Sequence, residues 1–153
     1  MRLGLIIWRV RALVRPRVTL GAQCLVIDRT RRVLLVRHTY TSKWHFPGGG
    51  VDPHESSRQA AVREAREETG LVLETAPRFF ALYWNKALAG RDHVALFVAD
   101  DVPAIDPAAL RAQAIEIAEV GLFSLDALPE DASESVRRRL AELAGVKPIA
   151  EVW

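Results

Sequence analysis

A single cysteine, Cys24, stands alone in 153 residues. No internal disulfide can form, and no Cys/His cluster offers zinc-ligand spacing. That usage suits a reducing compartment, so a cytoplasmic location is expected. Cys24 lies in an apolar run, where a thiol acts as a small buried hydrophobe. Long apolar runs are lacking too. No stretch approaches the ~20 residues of a transmembrane helix. The apolar part of residues 3–14 is too short for a secretory h-region with a cleavage site. Nor is there a basic stripe after residue 40, so no stable nucleic-acid partner is expected. Internal repeats and low-complexity tracts are absent.

What is present is an ordinary globular balance. Half the residues are hydrophobic and 26% are charged, which fits one domain with a proper core. The net charge of +2 permits an anionic substrate without pointing to one.

Residues 3–14 (LGLIIWRVRALV) place Leu3, Ile6, Ile7, Val10, Leu13 and Val14 at helical spacing, with the arginines off that stripe. Pro16 limits this amphipathic extension, which covers residues 1–17. It suits packing on the domain or on a second subunit, making a homodimer a reasonable expectation. It also suits a membrane surface, since arginines and Trp8 flank the apolar residues. Val18–Ile27 and Arg32–Arg37 read as two strands of a hairpin around a polar turn. Trp44–Val51 reads as a strand end and a tight glycine loop. Ser56–Thr69 reads as a helix, with a Ser56/Gln59 capping box and Gly70 as its stop. Leu71–Leu73, Phe79–Trp84 and His93–Ala99 read as strand pieces, Asp100–Gln113 as loop, and Ile115–Leu125 as a region holding a further strand. Asp131–Ala144 is a second helix, stopped by Gly145. Its run Arg137–Arg139 is expected to be a solvated face near the helix C-terminus. Strands interleaved with helices imply an α/β sandwich, with helices on both faces of a mixed sheet.

The chemistry concentrates in GGVDPHESSRQAAVREAREETGL, residues 49–71. On a helix of about 3.6 residues per turn, Glu64, Glu67 and Glu68 project within an arc of about 100°. Ala61, Val62, Ala65 and Thr69 lie on another side and can face the core. Carboxylates so gathered repel one another. Solvent with Arg63 and Arg66 could offset this, as on many charged helix faces. So could divalent cations, for which hard oxygen ligands suit Mg²⁺ or Mn²⁺. Gly48, Gly49 and Gly50 allow a sharp turn and a close backbone approach. Arg63 can pair with Glu67 or with Glu55 and hold carboxylates in position.

This segment resembles the Nudix box: glycine, five residues, glutamate, seven residues, then Arg-Glu-aliphatic-any-Glu-Glu-any-Gly-aliphatic. Gly49, Glu55, Arg63, Glu64, Ala65, Glu67, Glu68, Gly70 and Leu71 fill those positions. Ala65 is the one soft departure. The order of hairpin, WHFPGGG loop, box helix, strands and IAEVGLFSLDALP segment resembles a Nudix domain from residue 18 onward, so residues 18–153 are assigned to it.

The resemblance implies a Nudix-like α/β/α sandwich. It implies hydrolysis of a nucleoside diphosphate linked to another moiety, with Mg²⁺ or Mn²⁺ as cofactor. Glu64, Glu67 and Glu68 would be metal ligands, Glu55 a further ligand or support, and Arg63 an orienting group. Gly49 would allow the loop-to-helix turn. Glu64, Glu116 or Glu119 could serve as general base, with Glu116 preferred because it lies in loop-like sequence. Arg37 and Arg91 could contact phosphates or be solvated. Trp44 or Phe46 could line a base-stacking pocket or belong to the core. His38, His45, His54 and His93 show no metal-ligand spacing. The alternative is a non-catalytic Nudix-like module that binds nucleotide or regulates.

Overall fold

The computed structural model describes residues 18–87 and 90–153. The expected extension at 1–17 lies outside them. The elements run β1 (Thr19–Asp28), β2 (Arg32–His38), β3 (Trp44–His45), β4 (Gly48–Gly50), α1 (Ser57–Thr69), β5 (Arg78–Asn85), β6 (Asp92–Val102), a 3₁₀ turn at Pro107–Ala109, β7 (Ile117–Ser124) and α2 (Glu134–Leu143). The sheet order is β3-β2-β1-β6-β5, with β4 also on β1 and β7 on β2. β1 and β6 run parallel, and the other pairs are antiparallel. The sheet is therefore mixed.

Two cores lie on opposite faces, because alternate strand residues point to opposite sides. Ala22, Cys24, Val26, Leu34, Ala95 and Phe97 pack with Ala60, Ala61 and Ala65 of α1. Leu25, Ile27, Val33, Leu35, Tyr83 and Leu96 pack with Val136 of α2. Burial pushes the Cys24 thiol up to about 12, so it is a packing group and not a nucleophile.

The β1–β2 turn forms as expected, but the hairpin is shallow. Asp28 accepts hydrogen bonds from the Thr30 and Arg32 backbone N–H groups at 3.0 and 3.1 Å. Beyond Ile27↔Val33 the strands part. β2 then pairs along its length with β7, and β1 with β6 and β4. Leu71–Leu73 is not a strand. After Gly70 turns left-handed at φ 76°, this stretch lies against the α1-side core without a ladder. β6 extends to Val102, three residues past the expected end.

The arginine run of α2 requires a larger correction. Arg137 is exposed, but Arg139 is completely buried. Its guanidinium donates to Glu142 at 2.7 Å and lies 4.0 Å from the Tyr83 ring centroid. The Tyr83 hydroxyl donates to the same carboxylate at 2.8 Å. A cation enters a core when a carboxylate and aromatic faces replace its water. Run composition does not reveal such partners.

Candidate active site

Helix α1 is fixed at both ends. Ser56 and Gln59 form the reciprocal capping box, and the Gly70 N–H bonds the Arg66 carbonyl at 2.8 Å. The apolar side seats Ala61, Ala65 and Thr69 on the sheet. Val62, expected on the core side, is only half-buried and faces a surface depression with Arg58, Arg66 and Gln113. Seating that side turns Glu64 and Glu68 toward the glycine strand β4.

Contact with that strand is close. A Cβ on Gly49 would stand 2.6 Å from Glu64 Oε1, so glycine leaves this carboxylate its place. A Cβ on Gly48 would meet the Ala22 carbonyl at 2.3 Å, which no side chain can satisfy. The Gly48 N–H donates to Glu68 Oε2 at 2.9 Å. Glu68 is buried, and that burial, with Glu64, Glu116 and Glu67 near, pushes its carboxyl up to about 8 despite the Gly48 bond. Burial also raises Glu64 above the usual carboxylate range, outweighing the Arg63 pairing.

Arg63 organises the cluster. It donates to Glu55 at 2.7 and 3.1 Å, to Glu64 at 2.7 Å and to Glu67 at 3.2 Å. A further bond to the Gly50 carbonyl at 3.1 Å ties the helix to β4. These bonds hold Glu55 below its ordinary value and Arg63 above its own. Both Glu55 oxygens are engaged, Oε1 also by the Asp52 N–H at 2.8 Å. Glu55 is thus placed as a support.

Do these residues fit a divalent cation? All the donors are hard, acidic oxygens. Arg63 takes only Oε1 of Glu64 and Oε2 of Glu67, and Gly48 only Oε2 of Glu68. One oxygen of each carboxylate has no hydrogen-bond partner among the described residues. No three such side chains there are already gathered at metal-holding spacing, because Arg63 draws Glu64 and Glu67 toward itself. The donor set therefore fits in chemistry and in free oxygens. Convergence requires Glu64 and Glu67 to rotate about their own side-chain torsions.

The other expected residues divide. Glu116 arrives beside the cluster: its carbonyl accepts from the Thr39 N–H at 2.8 Å, and its charge acts on Glu64, Glu68, His38 and Tyr40. Glu119 does not, being paired with Arg37. Arg37 also pairs with Asp131 at 3.4 Å and lies over the Trp44 ring. It is committed to ion pairs on the α2 side and not to a phosphate. Trp44 stacks edge-on against Phe123, and Phe46 is 1% exposed; both belong to the core. No ring face is left there for a base. Arg91 is exposed in the β5–β6 turn, beside Thr19.

His38 had no signal in motif spacing. Its Nε2 lies 4.0 Å from Glu68 Oε1, with Tyr40 stacked on its ring at 5.0 Å. Burial lowers its pKa, favouring the neutral imidazole. Strand alternation from Leu34 could have put it on the α1 side.

This glutamate-lined helix, tied by one arginine to a glycine strand, defines a class of α/β domain. The sequence profile of the NUDIX domain matches residues 17–144. The chain belongs to the Nudix family. A CTP pyrophosphohydrolase of Escherichia coli (strain K12) is 46% identical over 50 residues, 30% of this chain and 37% of the relative. Diphosphoinositol polyphosphate phosphohydrolase 3-alpha of Homo sapiens is 45% identical over 49 residues, 31% of this chain and 30% of the relative. The chain thus spans about a third of the length of the curated relatives it matches. A Nudix hydrolase from Nitrosomonas europaea shares the fold at TM-score 0.70 and 23% identity, over 90% of this chain and 78% of that one.

Proposed function

We propose that the chain is a divalent-metal-dependent hydrolase that cleaves a pyrophosphate linkage in a nucleoside diphosphate joined to another moiety. One observation carries this reading. Glu64, Glu67 and Glu68 each keep one oxygen free of Arg63 and Gly48, along one side of α1 beside the Gly48–Gly50 strand.

Mg²⁺ or Mn²⁺, when bound, supplies neutralisation of the diphosphate and a more acidic water. Glu64, Glu67 and Glu68 would hold it after Glu64 and Glu67 rotate to converge, while Arg63 keeps its bonds to Glu55. Glu55 and the Gly50 carbonyl fix Arg63 itself. Glu116, exposed and next to the cluster, accepts the proton from the attacking water. Little else is required of the protein, because phosphoryl chemistry depends mainly on positioning and charge.

Turnover of a panel of nucleoside diphosphate derivatives with Mg²⁺ or Mn²⁺ tests the proposal. Glu67→Gln should lower kcat by at least about 100-fold. Absence of hydrolysis across the panel with either metal would falsify it. The grip of Arg63 on three carboxylates favours a second reading, a non-catalytic nucleotide-binding module. Tight nucleotide binding without product would select that one.

A further inference from the structure

Trp44 and Phe46 are interior, so the base of a nucleotide substrate needs another surface. Among the described aromatic residues, Phe79 and Trp84 are exposed, but they lie on β5, at the sheet edge away from β2. The others, Tyr40 excepted, are buried or packed on a core. Tyr40 is 75% exposed and stands in the turn after β2, on the side of the glutamate cluster.

The Tyr40 ring is held on one face. It stacks on His38, with centroids 5.0 Å and planes 21° apart, and its exposure leaves the opposite face open. His38 itself is packed: its side chain is 11% exposed, His45 stands 6.1 Å from it, and its Nε2 lies 4.0 Å from Glu68 Oε1. The backbone on either side of Tyr40 is tied. The Thr39 N–H donates to the Glu116 carbonyl at 2.8 Å, and the Thr41 N–H to the His38 carbonyl at 3.3 Å. Partial burial, with the charges of Glu116 and Glu68, raises the Tyr40 hydroxyl above its ordinary value, which puts that end of the ring near the carboxylates. Ile115, fully exposed, immediately precedes Glu116 on the neighbouring loop. Uncovered aromatic and aliphatic surface therefore borders a polar cluster, the composition of a ligand site.

Resting on the hydrolase reading, we propose that the open face of Tyr40 stacks the base of the substrate and so selects a nucleoside diphosphate over base-free diphosphates. Every base carries a π-face, so stacking on one ring accepts any of them without a hydrogen-bond code. One imidazole separates the Tyr40 ring from Glu68. That places the platform beside the carboxylates that would hold the metal and, through it, the diphosphate. Tyr40 is a binding residue in this scheme and takes no part in proton transfer.

The full chain with Mg²⁺ is titrated by calorimetry against two ligands that resist hydrolysis, α,β-methylene-ADP and its base-free counterpart methylenediphosphonate. The unaltered chain should bind the nucleotide at least about fivefold more tightly. Tyr40→Ala should remove that preference and leave methylenediphosphonate binding unchanged, whereas Tyr40→Phe should keep it. Because the ring is exposed, neither variant should shift the melting temperature. Equal affinity of the unaltered chain for both ligands overturns the proposal, as does nucleotide binding that Tyr40→Ala leaves intact. Equal weakening of both ligands overturns it too and assigns Tyr40 to holding His38 beside Glu68. A loss in Tyr40→Phe as large as in Tyr40→Ala assigns the effect to the hydroxyl and not to the ring face. Methylenediphosphonate binding with no preference for the base leaves the hydrolase reading in place. Absence of Mg²⁺-dependent binding of either ligand overturns both.

Discussion

Gly49 shows how one missing side chain can serve chemistry more than folding. The atom that a Cβ would meet is the far end of Glu64, a flexible group that can swing aside. Gly49→Ala should therefore leave the melting temperature nearly unchanged. It should lower kcat by about 10- to 100-fold, because the displaced carboxylate loses its placement. Asp28 is the opposite case, a buried carboxylate with a structural task. Burial alone would raise its pKa, but bonds from Thr30, Arg32 and the Ile105 N–H hold it far below the usual range. A carboxylate lowered on folding contributes stability above its unfolded pKa of about 4, and that contribution is lost as pH falls below it. Asp28→Asn should cost about 2–3 kcal/mol at neutral pH. The deficit should shrink steadily as denaturation is repeated below pH about 4.

At the scale of elements, α1 was legible in sequence to within a residue. Its caps are local: Ser56 and Gln59 bond each other's backbone, and Gly70 relieves the left-handed turn. Ser56→Ala should reduce stability by about 1 kcal/mol, measured by urea denaturation with an unchanged m-value. Leu71–Leu73 was not legible. Its apolar residues are present because the segment packs into the α1-side core, and apolarity alone cannot tell a ladder from a packed coil. The β1–β2 hairpin was half legible. Asp28 and Thr30 dictate the turn locally, but the pairing of β2 with β7 joins residues about 80 to 90 positions apart. For the same reason Arg37 and Glu119 looked like separate functional candidates when they are partners of each other.

Across the whole molecule, α2, β5 and the C-terminal residues close on one buried cation. Arg139 bonds Glu142 and the Val152 carbonyl, and lies 4.0 and 5.3 Å from the ring centroids of Tyr83 and Trp153. The Trp84 N–H bonds the Glu151 carbonyl at 2.8 Å, so the same residues extend the sheet edge. Arg139→Ala would leave Glu142 buried without its cation, a loss of about 3–5 kcal/mol. Thermal denaturation should show a fall of about 10 °C. An exchangeable surface arginine would show no such change.

Sequence alone determined the alternation of strands and helices, the ends of α1 and the gathering of four glutamates and one arginine into a spaced set. Each depends on contacts within a turn or two of the chain. Only the tertiary structure decided that Arg63 binds three of those glutamates at once, that His38 and Glu116 join them, and that Trp44, Phe46 and Arg139 are interior. Those outcomes depend on which distant surfaces meet, and the energy of a buried charge or ring is set by its neighbours in space.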